Sequence, residues 1–139
     1  MVAIIVATHG KSAPELIKSA EMIFGSQENI DAVTFEPGEN TDNLLEKYNQ
    51  KLESLNTEDG VLFMVDLFGG SPYNAAAMIA AKNSNMDIVT GVNIPMLLET
   101  FGARSFSNLE ELVSTAKNAA LEGIKSLKET LSQYVEEEL

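Results

Sequence analysis

The sequence has no cysteine, a single histidine, and only 9 Lys+Arg against 21 Asp+Glu, which gives its 139 residues a formal net charge of −12. Without cysteine there is neither a disulfide framework nor a thiol nucleophile. One histidine and no thiol also exclude the usual zinc sites, which draw on several such ligands, and no acidic loop has the calcium-binding spacing. No metal and no cofactor is therefore expected. The shortage of basic residues argues against nucleic acid as a partner, because neutralising phosphates needs a positive stripe. An acidic surface instead favours solubility and steers basic protein partners into encounter. The longest apolar runs fall far short of a membrane span, and the basic stretch of a signal peptide is missing. A cytoplasmic protein without direct membrane insertion is expected. Hydrophobic residues make up 45% and charged residues 22%, an ordinary globular balance, and residues 1–139 read as one domain with its own core.

What is present is an alternation of apolar runs and amphipathic stretches. Val2-Ala3-Ile4-Ile5-Val6-Ala7 is continuously apolar and rich in Val and Ile, the mark of a strand buried on both faces. It stops at Thr8-His9-Gly10. Ser12, Pro14 and Glu15 open a helix, with Ser12 as its cap, and Gly25 ends it. Ile30–Phe35 is a second strand, Glu36-Pro37-Gly38-Glu39-Asn40 a turn, and Thr41 the cap of a second helix. Gly60–Val65 is a third strand, again continuously apolar, followed by Asp66-Leu67-Phe68-Gly69-Gly70-Ser71-Pro72 and a helix capped by Ser71. Asp87–Thr90 is a short fourth strand; Val92–Glu99 passes from a loop into a short helix, and Ser107–Glu110 forms a capping box for the next. Beyond Gly123, Ile124, Leu127, Leu131, Tyr134 and Val135 keep a helical period, yet Gly123 equally ends a helix and lets Ile124–Leu127 run extended. The sum is an α/β fold: a doubly wound, mainly parallel four-stranded sheet flanked by helices.

Such sheets place chemistry at the carboxyl ends of their strands. Three of those ends converge: Thr8-His9-Gly10, Asp66 to Pro72, and Gly91 to Met96. On position alone, His9 is either a functional imidazole or a loop residue bonded to backbone, and Asp66 either its carboxylate partner or a turn residue. As a partner, Asp66 accepts the Nδ1–H of His9 and leaves the Nε2 lone pair pointing outward. Gly69, Gly70 and Ser71, at a helix start, offer N–H groups and a hydroxyl to an anion, or simply begin a helix. Phe35, Phe68, Met22 and Met96 form an apolar rim for a protein partner, or pack in the core. One nucleophilic histidine, one orienting carboxylate and an anion cradle suit transient phosphoryl transfer, which splits one transfer into two. A hydrolase with Ser71 as nucleophile would lack the Gly-x-Ser-x-Gly elbow.

Four ordered motifs, Ile4–Gly10, Phe35–Asn40, Val65–Pro72 and Gly91–Leu97, resemble the mannose-family enzyme IIA of the bacterial sugar phosphotransferase system, over about Val2–Leu127. The resemblance implies a kinase-type carrier that accepts phosphate from the phosphocarrier HPr on His9 and passes it to enzyme IIB, working with the membrane components IIC and IID in sugar uptake. It implies that Asp66 orients the histidine, that Ser71 lies near the phosphoryl group, and that Phe68 stands where the family often has tryptophan. It further implies a homodimer that exchanges a C-terminal antiparallel strand, here Gly123–Leu127. Some members continue through a linker into a IIB domain, and this chain is expected to be a separate subunit or an excised domain. The rival readings are the phosphoryl-transfer subunit of a dihydroxyacetone kinase, a receiver phosphorylated on Asp66, and a non-catalytic binding module. The receiver would need acidic residues after the first strand to hold magnesium, where Thr8-His9 stands instead.

Overall fold

The computed structural model describes Met1–Glu138. Strands β1 (Ala3–His9), β2 (Ile30–Phe35), β3 (Val61–Val65) and β4 (Met86–Thr90) form one sheet of order β2-β1-β3-β4. Every pairing is parallel. Among the described residues six helices accompany them: α1 (Ser12–Phe24), α2 (Thr41–Ser54), α3 (Ser71–Ala80), α4 (Ile94–Ala103), α5 (Leu109–Glu122) and α6 (Leu127–Glu138). This is the doubly wound α/β architecture expected from the apolar runs.

The pleat of β1 explains why its sequence does not alternate. Val2, Ile4 and Val6 enter a core shared with Ile17 of α1, Leu97 of α4 and Leu112 of α5. Ala3, Ile5 and Ala7 enter the opposite core, with Leu44 and Tyr48 of α2 and Ala75 of α3. Both faces are covered, so both sets of side chains must be apolar. The chain leaves β1 through α1 on one face and leaves β3 through α3 on the other. The crevice between the carboxyl ends of these adjacent strands is the switch point where open α/β sheets bind ligands.

The helix starts differ from the sequence expectation by a residue. The first-turn N–H groups are capped by Asn40 for α2 and Asn108 for α5, each in a reciprocal capping box, not by Thr41 and Ser107. Gly70, not Ser71, occupies the cap position of α3. Ser12 is already inside α1, and its hydroxyl pairs with that of Thr8 at 2.7 Å.

Arg104, directly after α4, is fully buried and has no acidic partner among the described residues. Its guanidinium donates to the carbonyls of Glu28 (2.7 Å), Val2 (2.8 Å) and Asn29 (2.6 Å), tying the entries of β1 and β2 to α4. Burial pulls its pKa down to about 10, so it stays charged at neutral pH.

The extended alternative for Gly123–Leu127 is not met within the single chain. Gly123 ends α5, residues 124–126 belong to no element, and Leu127 already starts α6. The helical period read from Leu127 onward is observed, but no residue of α6 is buried. Among the described residues no helix is long and apolar enough to cross a membrane.

Candidate functional site

His9 is the last residue of β1, and its register neighbour on β2 is Phe35. Asp66 follows the last residue of β3, whose Val65 pairs with Ala7. Two buried parallel strands thus deliver both side chains to one point. One carboxylate oxygen, Oδ2 of Asp66, accepts the His9 backbone N–H at 2.9 Å and lies 2.9 Å from the ring Nδ1. Partial burial pushes the Asp66 carboxyl up, but the backbone N–H of His9, its ring and its charge outweigh that and hold the pKa below the usual carboxylate value. An ionised carboxylate only accepts, so Nδ1 must carry the proton and, in the neutral ring, Nε2 the lone pair. The other Asp66 oxygen, Oδ1, is buried and unpaired among the described residues.

Two further contacts fix the ring. Phe35 meets it edge-on, with centroids 5.8 Å apart and planes at 82°. Gly70 lies against its other edge: a Cβ there would stand 2.8 Å from Cε1 and 3.3 Å from Nε2 of His9. Only glycine leaves room for the imidazole in this position. The His9 side chain remains 45% exposed, so the free nitrogen is open to a large electrophile.

The Asp66–Ser71 loop runs directly into α3. Gly69 holds a φ of +83°, and the first intrahelical bond is Asn74 N–H to Gly70 carbonyl at 2.8 Å. The N–H groups of Ser71 and Tyr73 precede that bond and have no intrahelical acceptor. They stand at the positive end of the helix dipole, beside the residue that abuts Nε2, where negative charge is favoured. Gly69, Gly70 and Ser71 are therefore all at the imidazole end of this helix.

The apolar rim divides. Phe68 is 75% exposed and stacks at a tilt on Tyr73, with centroids 4.8 Å apart. Phe35 is half-buried, packed between His9 and the α2/α3 core. Met96 must be withdrawn from the rim: Asn93 caps α4 by accepting the Met96 N–H at 2.9 Å, and the side chain turns inward to full burial. Met22 is exposed but belongs to the last turns of α1, about 15 Å along the helix from Ser12 at 1.5 Å per residue.

Sequence reasoning missed Tyr48. Its ring is buried edge-on against Phe63 of β3, and its hydroxyl donates to the Pro72 carbonyl at 2.8 Å. Burial, together with the nearby charge of Asp66, pushes its pKa up, so it stays protonated and remains a donor. At its helical spacing from Leu44 and Leu52, Tyr48 reads only as one more apolar position of α2, since the hydroxyl's acceptor lies in another element.

The chain has relatives among known proteins. A family model described as "PTS system fructose IIA component" matches residues 3–117. The mannose-specific EIIAB component of the phosphotransferase system of Escherichia coli K12 is 48% identical over 128 residues, which are 91% of this chain and 40% of that protein. The chain thus spans less than half the length of that relative. The fructose-specific EIIA component of Bacillus subtilis is 40% identical over 133 residues, covering 96% of this chain and 91% of the relative. The crystal structure of phosphotransferase system component EIIA from Streptococcus agalactiae superposes with a TM-score of 0.84 at 24% identity, covering 92% of this chain and 98% of that one, and so shares its fold. The match over almost all of the sheet and its flanking helices, with 40% identity across nearly the whole B. subtilis protein, means that the chain belongs to the mannose-type enzyme IIA family of the sugar phosphotransferase system.

Proposed function

We propose that the chain is a cytoplasmic phosphoryl carrier that accepts a phosphoryl group from HPr on Nε2 of His9 and passes it to enzyme IIB, which serves the membrane components IIC and IID. The observation that carries this reading is the double hold of Asp66 Oδ2 on the His9 backbone and ring, which leaves one exposed imidazole nitrogen with its lone pair free. In the first step that lone pair attacks phosphorus, a bond forms from Nε2, and the donor's bond to phosphorus breaks with its electron pair. The ring becomes cationic while it holds the group, and the carboxylate on Nδ1–H stabilises that charge, as it does for the imidazolium in a hydrolase triad. The phosphoryl oxygens then face the free N–H groups at the start of α3, which favour anions without needing to reorganise. In the second step a nucleophile of enzyme IIB takes the group and returns the lone pair to Nε2. Phe68 and Leu67, both exposed on the loop that carries Asp66, offer the apolar contact for either protein.

The same reading includes a homodimer. The outer edge of β4 is unpaired, and a groove of about 520 Å³ lies along it, lined by Phe68, Tyr73, Ile88 and the end of α5 to Ile124. Gly123–Leu127, unpaired within one chain, is the segment to be laid there by a partner copy.

Incubation with enzyme I, HPr and phosphoenolpyruvate tests the carrier function. The expected product is an acid-labile, base-stable phosphate on His9, lost in His9→Ala with the fold retained. A His9→Ala protein that still gains phosphate would overturn it.

A further inference from the structure

The bond between Tyr48 and Pro72 joins two parts of the molecule that the chemistry must keep in register. Pro72 is the second residue of α3, and the residue capping that helix, Gly70, abuts the His9 ring. The loop before it carries Asp66, whose carboxylate holds the same ring from the other side. Tyr48 comes from α2, an element that touches none of these side chains by any other hydrogen bond. Its ring is wedged on Phe63 of β3, the strand that ends one residue before Asp66. One side chain therefore spans from the strand that presents the carboxylate to the helix start that backs the imidazole. The Pro72 carbonyl already serves the first turn of α3, so the tyrosine does not build the helix; it decides where the helix begins.

We propose that Tyr48 is a positioning residue for the phosphoryl-accepting histidine, acting through Pro72 to keep Gly70 against the ring and the ring on Asp66. The inference rests on the carrier function proposed above, yet its geometric half is measurable without any phosphoryl donor. Without the hydroxyl, the start of α3 is held to α2 by packing alone, and the gap between Gly70 and Asp66 in which the imidazole sits is no longer fixed. A misplacement of about 1 Å in such a seat can slow group transfer about a hundredfold, and a smaller one correspondingly less.

Tyr48→Phe keeps the ring on Phe63 and removes only the donor. The control is Leu44→Val, a buried neighbour on α2 in the same core with no polar atom, which lowers stability without touching Pro72. Two readouts are taken on both variants: the rate of phosphorylation by HPr, and the ring ¹⁵N and proton signals of the imidazole, unambiguous because the chain has one histidine. The expected result for Tyr48→Phe is about a tenfold slower transfer with ring signals moved away from the Nδ1-protonated form. Leu44→Val should change neither readout, whatever it costs in thermal midpoint. Unmoved ring signals in Tyr48→Phe overturn the proposal, whether or not transfer slows. Equal slowing in both variants, in step with lost stability, also overturns it. If the wild type takes up no phosphate but the ring signals still move in Tyr48→Phe alone, the positioning role stands and the carrier function falls.

Discussion

At the scale of single residues, the site depends on what two atoms exclude. The missing Cβ of Gly70 is one of them. In Gly70→Ala the added methyl meets Cε1 at 2.8 Å, and the ring cannot retreat freely because Asp66 holds Nδ1 at 2.9 Å. Either the hydrogen bond lengthens or the start of α3 moves, and both misalign Nε2. The expected outcome is a phosphorylation rate reduced at least about tenfold with the circular dichroism spectrum unchanged; a rate within twofold of wild type would show the seat to be loose. Asp66 is the other. Its folded pKa is depressed, so its contribution to stability is present above the unfolded carboxyl value and is lost as pH falls through the folded one. The gap in thermal midpoint between wild type and Asp66→Asn should therefore be widest near neutrality and close in acid. A gap that widens on acidification would contradict the sign. Of this site, His9 and Asp66 were legible because each ends an apolar run, the place where parallel sheets put their chemistry. The closeness of Gly70 to the ring was not, since glycine before a helix reads the same whether it caps, turns or makes room.

At the scale of elements, legibility followed burial. β1 and β3 are covered on both faces, so their runs are unbroken and legible to within two residues at either end. The helix caps slipped by one because Asn40 and Thr41, or Ser107 and Asn108, are adjacent residues of nearly equal capping strength, and the choice is made by which N–H group the fold brings within reach. Met96 was misplaced because an apolar residue after a strand end reads alike for a rim and for the inner face of a new helix. Arg104 left no signal at all: a lone arginine at a helix end looks like a solvated charge that suits the dipole. In the fold it serves three carbonyls from the α1–β2 connection and the start of β1. Arg104→Met fills much of the volume but leaves the Glu28 and Val2 carbonyls without a donor, while the Asn29 carbonyl keeps the Ile4 N–H at 3.2 Å. Each buried acceptor so orphaned costs about 1–3 kcal/mol, so with two of them the loss should reach at least about 2 kcal/mol. Urea unfolding should show the midpoint falling with no change in slope, whereas a loss under about 1 kcal/mol would mean water replaces the guanidinium at no cost.

At the scale of the whole molecule, the C-terminal helix does not fit a solitary chain. A helix as short as Leu127–Glu138, with no residue buried, gains nothing from packing, and isolated helices of this length are marginal in water. Its apolar residues nevertheless share one side: Leu127, Leu131, Tyr134 and Val135 fall at helical spacing and are all at least half exposed. Ile124, just before it, is 75% exposed beside the open edge of β4, and an unpaired edge is a ready template for another strand. The second copy proposed above would answer all three at once, since twofold symmetry lets each chain cover the other's edge while its own is covered. Sedimentation should give twice the 15.0 kDa chain mass, and Leu127→Glu with Leu131→Glu should shift the equilibrium to monomer by placing charges on that stripe. The acidic character of the chain makes this sharper, because two molecules of net charge −12 repel at low salt and need the apolar contact to associate. Dimerisation should accordingly strengthen between about 0.01 and 0.15 M salt, over which the screening length falls from about 30 Å to about 8 Å. His9, Asp66, Gly70 and Tyr48 all come from one chain, so the monomeric variant should still accept phosphate from HPr. If it does not, the partner copy completes a site that the single chain only outlines.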